Sequence, residues 1–152
     1  MSFTLYCDGG SRGNPGISGC GCVLYSVSRT GESKKVWEKA QYCGIGTNNE
    51  AEYLGLVLGL RQCVEMKVQN LTVRMDSLLV INQMKKEWKL KAQNLKPYNA
   101  KACFYASKIP KIKFEHVRRE LNTEADEQSN IGMDNIQFLD IKTPLNVLDS
   151  FN

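Results

Sequence analysis

Hydrophobic and polar residues alternate with a period of two in three segments of the first third of the chain, which is typical of β-strands. The segments cover residues 3–8, 19–27 and 34–42. A glycine-rich run separates the first two, and a turn at residues 31–33 separates the second from the third. Short connections of this kind predict an antiparallel meander of three strands.

The pattern changes to helical spacing after residue 46. Either Thr47 or Asn48 is a suitable N-cap, because their side chains accept hydrogen bonds from first-turn amides. Glu52, Gly55 and Gly59 fall on one face of the predicted helix. The two glycines predict a helix that packs closely against the sheet and carries Glu52 in its first turn. Apolar residues recur at helical spacing at Leu54, Val57, Leu58 and Val64.

Strands and helices alternate in the second half of the chain. Residues 71–76 and 109–117 read as strands, and this order implies parallel pairs with right-handed crossovers. The sequence therefore predicts an α/β domain over residues 1–134 with a mixed sheet of three antiparallel and then two parallel strands. Residues 135–152 remain a tail of uncertain structure. Helices are predicted at residues 77–84, at residues 97–108 and from Asn122, where Asn or Thr can cap.

Four acidic residues occupy comparable places in four different elements. Asp8 and Asp76 each follow a predicted strand, while Glu52 and Asp126 lie at the starts of helices. Ligands of such sheets bind at the carboxyl ends of the strands. If the two strands are neighbours, the four carboxylates converge, and hard oxygen ligands favour Mg²⁺ or Mn²⁺ over zinc.

The net charge of +4 is unevenly distributed. Residues 85–113 contain nine lysines and one glutamate, which gives a local charge of +8 and leaves −4 on the remainder. Such a segment indicates a polyanionic partner. The alternative is a solvated helix face. Trp88, inside this segment, could contact the partner or pack in the core.

Cysteine usage and targeting signals indicate the compartment. The six cysteines form no Cys-x-x-Cys pair, so a zinc site is not expected. We expect buried free thiols in a reducing compartment instead. No apolar run approaches the roughly 20 residues of a membrane span. The N-terminus lacks a basic region followed by an apolar one. We therefore expect a cytoplasmic protein, or a nuclear or organellar one, that is neither secreted nor bound to a membrane.

Four motifs, taken together, resemble the type 1 ribonuclease H family. They span residues 3 to about 133, and His116 lies ten residues before Asp126. The resemblance implies a ribonuclease H-like fold with helices on both faces of the sheet. It also implies hydrolysis of the RNA strand of RNA–DNA hybrids to 5′-phosphate and 3′-hydroxyl products. The motifs are Asp8–Gly16 (DGGSRGNPG), Thr47–Glu52 (TNNEAE), Val73–Ser77 (VRMDS) and the ten-residue spacing from His116 to Asp126, and the spacing Asn122-x-x-x-Asp126 is also similar to the family.

The same resemblance assigns roles at the reaction centre. Two Mg²⁺ ions, for which Mn²⁺ can substitute, would be held by the four acids. Asp8 would bridge both ions, Glu52 and Asp76 would hold the ion on the leaving-group side, and Asp126 would complete the site of the ion that activates water. His116 would aid proton transfer or product release without binding metal; alternatively, this single histidine is structural.

Substrate contacts are also implied by the resemblance. One group of residues would line the minor groove of the hybrid, where polar groups can reach 2′-hydroxyls. A second group would contact the nucleic-acid backbone, and a lysine group with Trp88 would grip the DNA strand. These groups are Ser11, Gly13 and Asn14; Thr47, Asn48 and Asn49; and Lys85, Lys86, Lys89 and Lys91.

The sequence departs from the family pattern at Leu78, where many members have a Gln that reads a base edge or sugar. The first strand begins next to Met1, so we expect a free-standing protein without a preceding hybrid-binding domain. We also expect a monomer, with no protein partner evident. Three alternatives stay open. They are a nuclease of the same fold that acts on DNA junctions, a binding module that retains the fold without activity, and a ribonuclease H domain excised from a reverse transcriptase.

Overall fold

A computed structural model describes residues 1–135 and contains one five-stranded sheet flanked by four helices. The predicted α/β fold with a mixed sheet is confirmed. The strands are β1 (Ser2–Gly13), β2 (Gly16–Val27), β3 (Ser33–Gly46), β4 (Asn70–Met75) and β5 (Lys111–His116). The helices are α1 (Asn48–Glu65), α2 (Leu78–Met84), α3 (Lys96–Ala106) and α4 (Thr123–Asp134).

The strands lie in the order β3-β2-β1-β4-β5. β1, β2 and β3 pair antiparallel, whereas β4 is parallel to both β1 and β5. The predicted meander and the predicted parallel pairs are therefore both present. β1 and β4, the strands that lead to Asp8 and Asp76, are neighbours, which is the condition on which convergence of the acids depended.

The glycine-rich run after Asp8 is not the loop that its composition predicts. β1 continues to Gly13, and the turn to β2 contains only Asn14 and Pro15, joined by a cis peptide bond. Helix α1 lies directly on β1 at Gly9, where a Cβ would be 2.2 Å from the backbone of Ala51. A glycine at this strand position leaves room for the helix. Close packing, rather than a turn, accounts for this glycine.

Helix α1 covers one face of the sheet and α4 the other. A Cβ on Gly55 or Gly59 of α1 would meet β1, which confirms the predicted close contact. A Cβ on Gly21 of β2 would instead meet α4 at Gln128. Neighbouring residues of a strand point to opposite faces, so helices pack on both sides. The described cysteines are all free, and only Cys103 is not fully buried.

The N-terminus of α1 is fixed by a capping box. The Thr47 side chain accepts a hydrogen bond from the Glu50 amide at 3.1 Å, and the Glu50 carboxylate accepts one from the Thr47 amide at 2.9 Å. Of the two predicted caps, Thr47 is the one used. No helix within residues 1–135 is long and apolar enough to cross a membrane. Of the tail predicted at 135–152, all but Asn135 lies outside the described residues.

Candidate active site

A cleft of about 880 Å³ opens where β1 and β4 approach the starts of α1 and α4. All four predicted acids and the single histidine line it, so the structure brings together side chains that are up to 118 positions apart in the sequence. Those residues are Asp8, Glu52, Asp76, His116 and Asp126.

Each acid reaches the cleft from a different backbone setting. Asp8 lies within β1, but the parallel pairing of β1 with β4 stops at Tyr6, so Asp8 projects past its end. Asp76 directly follows β4. Glu52 lies near the start of α1 and interacts with the Ser77 side chain, and Asp126 lies in the first turn of α4 in contact with Asp8.

Burial and mutual repulsion raise the proton affinity of two of these acids. Burial, followed by the charge of Asp76, raises the pKa of Asp8 to about 8, although the Gly9 amide opposes the rise. Burial also raises the pKa of Glu52 to about 7, against the hydrogen bond from Ser77 and the charge of Arg119. Without a cation, these carboxyl groups therefore retain protons near neutral pH.

The donor set suits a hard divalent cation. Five acidic side chains line the cleft, the four predicted ones and the exposed Glu120, and none of the nitrogen-bearing side chains that line it is buried. A cation would relieve the repulsion that raises the pKa of Asp8. Within residues 1–135, no three acidic, histidine or cysteine side chains already surround one point closely enough to coordinate an ion. The four predicted acids therefore supply carboxylate oxygens of the kind that a hard divalent cation binds.

His116 ends β5 at the edge of the cleft. Its side chain is exposed, and Nε2 lies 3.3 Å from the backbone oxygen of Asp76. The placement is open to solvent and next to the acids, which suits a group that exchanges protons with water.

Two of the predicted substrate-binding groups form one connected surface beside the acids. The Ser11 amide donates to Asn48 Oδ1 at 2.8 Å, and the Asn48 amide donates to Asn14 Oδ1 at 3.0 Å. The β1–β2 turn is thereby bound to the start of α1. Gly13 ends β1 next to this turn with a φ of 101°, Thr47 is the cap of α1, and Asn49 is exposed at the cleft.

The lysine group lies after α2, outside the cleft of the acids. Its four members are exposed, and Lys86 and Lys89 share a separate pocket with Trp88. Trp88 is 47% exposed, so the interpretation of Trp88 as a core residue is wrong. Leu78 is the first residue of α2 and is 45% exposed.

Sequence reasoning missed the role of three residues at this site. Asn122, predicted as a possible helix cap, occupies that position without making a capping bond. Its side chain instead donates to Cys7 O and to Asp76 Oδ1, each at 2.9 Å. The spacing to Asp126 was the only signal for it. Arg118 and Arg119 also line the cleft, and no motif pointed to them.

Known proteins share this fold along nearly the whole described chain. The Reverse transcriptase-like family matches residues 6–132. The N-terminal RNase H domain of Rv2228c from Mycobacterium tuberculosis superposes with a TM-score of 0.81 at 39% identity, over 88% of this chain and 94% of that one. This chain belongs to the type 1 ribonuclease H family.

Other members of the family have similar structures. RNase H1 from Halobacterium salinarum has a TM-score of 0.81 at 32% identity, over 90% of this chain and all of that one. LC11-RNase H1, isolated from compost and solved with an RNA/DNA hybrid, has a TM-score of 0.77 at 36% identity, over 87% and 96%. The full-length bifunctional protein Rv2228c is 40% identical over 88% of this chain, which spans only 36% of its length.

Proposed function

We propose that this chain is a metal-dependent endonuclease that hydrolyses the RNA strand of RNA–DNA hybrids and leaves 5′-phosphate and 3′-hydroxyl ends. The observation that carries the proposal is the convergence of Asp8, Glu52, Asp76 and Asp126 on one cleft in a chain of the type 1 ribonuclease H family. The hybrid bound to LC11-RNase H1 supports the choice of substrate.

The four acids would hold two Mg²⁺ ions, with Mn²⁺ as a possible substitute. Asp8 would be a ligand of both ions. Glu52 and Asp76 would hold the ion on the leaving-group side, and Asp126 would hold the ion on the side of the attacking water. When bound, a pair of ions supplies an activated water and charge stabilisation at both reacting oxygens of an in-line displacement.

Protein groups around the acids favour the ionised state that this role requires. The Gly9 amide lowers the proton affinity of Asp8, and both the Ser77 side chain and the charge of Arg119 lower that of Glu52. His116 Nε2, exposed at the edge of the cleft, would carry a proton between the reacting oxygens and solvent.

Recognition of the hybrid would involve two surfaces. Beside the acids, the connected polar groups of the β1–β2 turn and the α1 start would contact the minor groove and its 2′-hydroxyls, which distinguish RNA from DNA. The exposed lysines after α2, with Trp88, would contact phosphates of the DNA strand and add affinity without sequence preference.

The deciding experiment compares labelled RNA–DNA hybrid, duplex RNA, duplex DNA and a four-way DNA junction, each with and without Mg²⁺ or Mn²⁺. We expect cleavage of the RNA strand of the hybrid alone, and only with metal. Cleavage of the junction would favour the DNA-nuclease alternative. Metal and hybrid binding without cleavage of any substrate would favour the binding module.

A matched hybrid in which 2′-deoxy residues replace one ribonucleotide at a time tests the recognition step. We expect cleavage to be lost at and next to the replaced position, because the polar surface beside the acids would lose its 2′-hydroxyl partner. Cleavage that ignores the replacement would contradict recognition through the minor groove.

A further inference from the structure

Asn122 connects the segments that carry three of the four acids. Its side-chain Nδ2 donates to Cys7 O, directly before Asp8 in β1, and to Asp76 Oδ1, each at 2.9 Å. Its backbone oxygen accepts a hydrogen bond from the Asp126 amide at 3.1 Å. A single residue, 2% exposed, thus contacts β1, the residue after β4, and α4.

The orientation of the Asn122 amide follows from its surroundings. Cys7 O and Asp76 Oδ1 are both acceptors, so only the NH₂ group can face them. Asn122 Oδ1 is then left buried, with no hydrogen-bond partner in residues 1–135. A buried acceptor without a hydrogen-bond partner reduces the stability of the fold. The two hydrogen bonds that the NH₂ group donates therefore explain the amide at this position, and the oxygen does not.

The two hydrogen bonds of the Asn122 side chain lie beyond the end of the backbone pairing between β1 and β4. The parallel pairing of β1 with β4 ends at Tyr6 and Arg74, two residues before Asp8 and Asp76 respectively. Backbone pairing between the two strands therefore does not set the distance between these acids. Asn122 bridges the strands at that point, with one bond to the β1 backbone and one to the Asp76 carboxylate itself.

We propose that Asn122 is a positioning residue for the metal-binding carboxylates. It holds Asp76 through Oδ1, so that the carboxylate cannot turn freely and Oδ2 remains for a cation, and it keeps Asp76 at a fixed distance from β1. The inference rests on the proposed function, because it assigns Asn122 to the same metal-binding acids. Outer partners of metal ligands commonly affect metal affinity in this way.

The test uses Asn122→Leu, which keeps the side-chain shape but has no donor, and Asn122→Ala, which removes the group. Asn70→Ala, at the exposed opposite end of β4, is the control. We expect the Mg²⁺ concentration for half-maximal cleavage to rise about tenfold or more in both Asn122 variants. The KM for hybrid at saturating Mg²⁺ should stay close to the wild-type value, because Asn122 does not contact the substrate surface.

A second measurement does not need activity. The rise in melting temperature on adding Mg²⁺ or Ca²⁺ should be clearly smaller in the Asn122 variants than in the wild type and in Asn70→Ala. Variants that melt earlier in the absence of metal but keep wild-type metal dependence would show a purely structural role and overturn the inference. If Asn122→Leu does not fold, Asn122→Ala and Asn122→Ser provide the same comparison.

The two proposals fail in different ways. A wild-type protein that binds divalent metal but cleaves no hybrid would contradict the proposed function, while the melting measurements would still decide the role of Asn122. A wild-type protein that cleaves hybrid, with Asn122 variants of unchanged metal dependence in both assays, would contradict only the role of Asn122.

Discussion

A Cβ atom on Gly55 would lie 2.6 Å from the backbone oxygen of Asp8. Helix α1 therefore contacts the main chain of β1 at the acid itself. Glu52 lies one turn before Gly55 on the same helix, so the contact that requires a glycine also sets how closely Glu52 approaches Asp8. Packing and active-site geometry depend here on the same missing side chain.

Replacing Gly55 with Ala should both destabilise the fold and reduce cleavage. The added methyl group must push α1 away from β1, and overpacking of this kind costs about 1–3 kcal/mol in the free energy of unfolding. Denaturant unfolding and kcat on hybrid measure the two effects. Gly10→Ala is the control for unfolding, because its Cβ would lie 3.4 Å from the flexible Met133 side chain. Wild-type stability and kcat in Gly55→Ala would contradict this account.

The elements with clear periodicity could be predicted from the sequence, and so could the face of α1 that carries Glu52, Gly55 and Gly59. The glycine-rich run was misjudged because a glycine that permits a turn and a glycine that permits a helix to lie on a strand look alike in sequence. The close backbone contact at Gly9 is visible only once α1 is in place.

The candidate site was predicted as a set of acids but not as a network. Asn122 has the composition of a helix cap, and nothing local indicates that its amide is directed to Cys7 and Asp76, 115 and 46 residues away. Nothing local in the sequence indicates either that the charge of Arg119 acts on Glu52. Partners distant in the chain leave no periodic signal, so such contacts require the fold.

Asp8→Asn should abolish cleavage while hybrid binding persists. A shared metal ligand needs a full negative charge, whereas the exposed lysines that would hold phosphates are unchanged. Single-turnover cleavage and fluorescence anisotropy with labelled hybrid separate the two properties. Asp134→Asn is the matched control, since Asp134 is exposed and pairs with Arg12 at 2.6 Å. Wild-type turnover in Asp8→Asn would contradict the metal assignment.

The metal-free protein should lose stability as the pH rises from about 4 to about 8. The folded-state pKa values of Asp8 and Glu52, about 8 and about 7, lie above their ordinary values of 3.8 and 4.5. The folded state therefore binds more protons in this range, and its stability is present below the ordinary values and is lost as the pH passes the raised ones. Melting curves in chelator across this range measure the loss.

Two comparisons isolate the carboxyl groups in that pH dependence. Mg²⁺ should raise the melting temperature more at pH 8 than at pH 6, because it binds the ionised form. Asp8→Asn should flatten the metal-free profile and melt higher than the wild type at pH 8. A metal-free profile that is the same in both proteins would assign the pH dependence to other groups.

Neutralising the lysines after α2 should weaken hybrid binding and reduce its dependence on salt. In a variant with Gln at Lys85, Lys86, Lys89 and Lys91, each lost phosphate contact should lower the slope of log K against log salt by about 0.9. Anisotropy titrations at several salt concentrations measure the slope. Gln at Lys34, Lys39 and Lys111, which are exposed in β3 and β5, is the control. An unchanged slope would place the nucleic acid elsewhere.

Leu78→Gln should tighten hybrid binding without affecting the fold. Leu78 directly follows Ser77, whose side chain caps α2 and interacts with Glu52, so position 78 lies near the acids. Its side chain is 45% exposed and offers no hydrogen bond, whereas Gln could reach a sugar or base edge. One neutral hydrogen bond contributes about 0.5–1.5 kcal/mol, which corresponds to a roughly two- to tenfold lower KM.

Steady-state kinetics on hybrid test the effect of Leu78→Gln, with the Mg²⁺ requirement and the melting temperature as controls. Both controls should match the wild type, because an exposed residue at the start of α2 contributes little to the core and does not line the cleft of the acids. Leu78→Ala separates the two possible causes of a lower KM. If the new hydrogen bond is responsible, only Leu78→Gln lowers KM. If removal of an apolar side chain is responsible, both variants lower it equally, and the assignment of a minor-groove contact to this position is wrong.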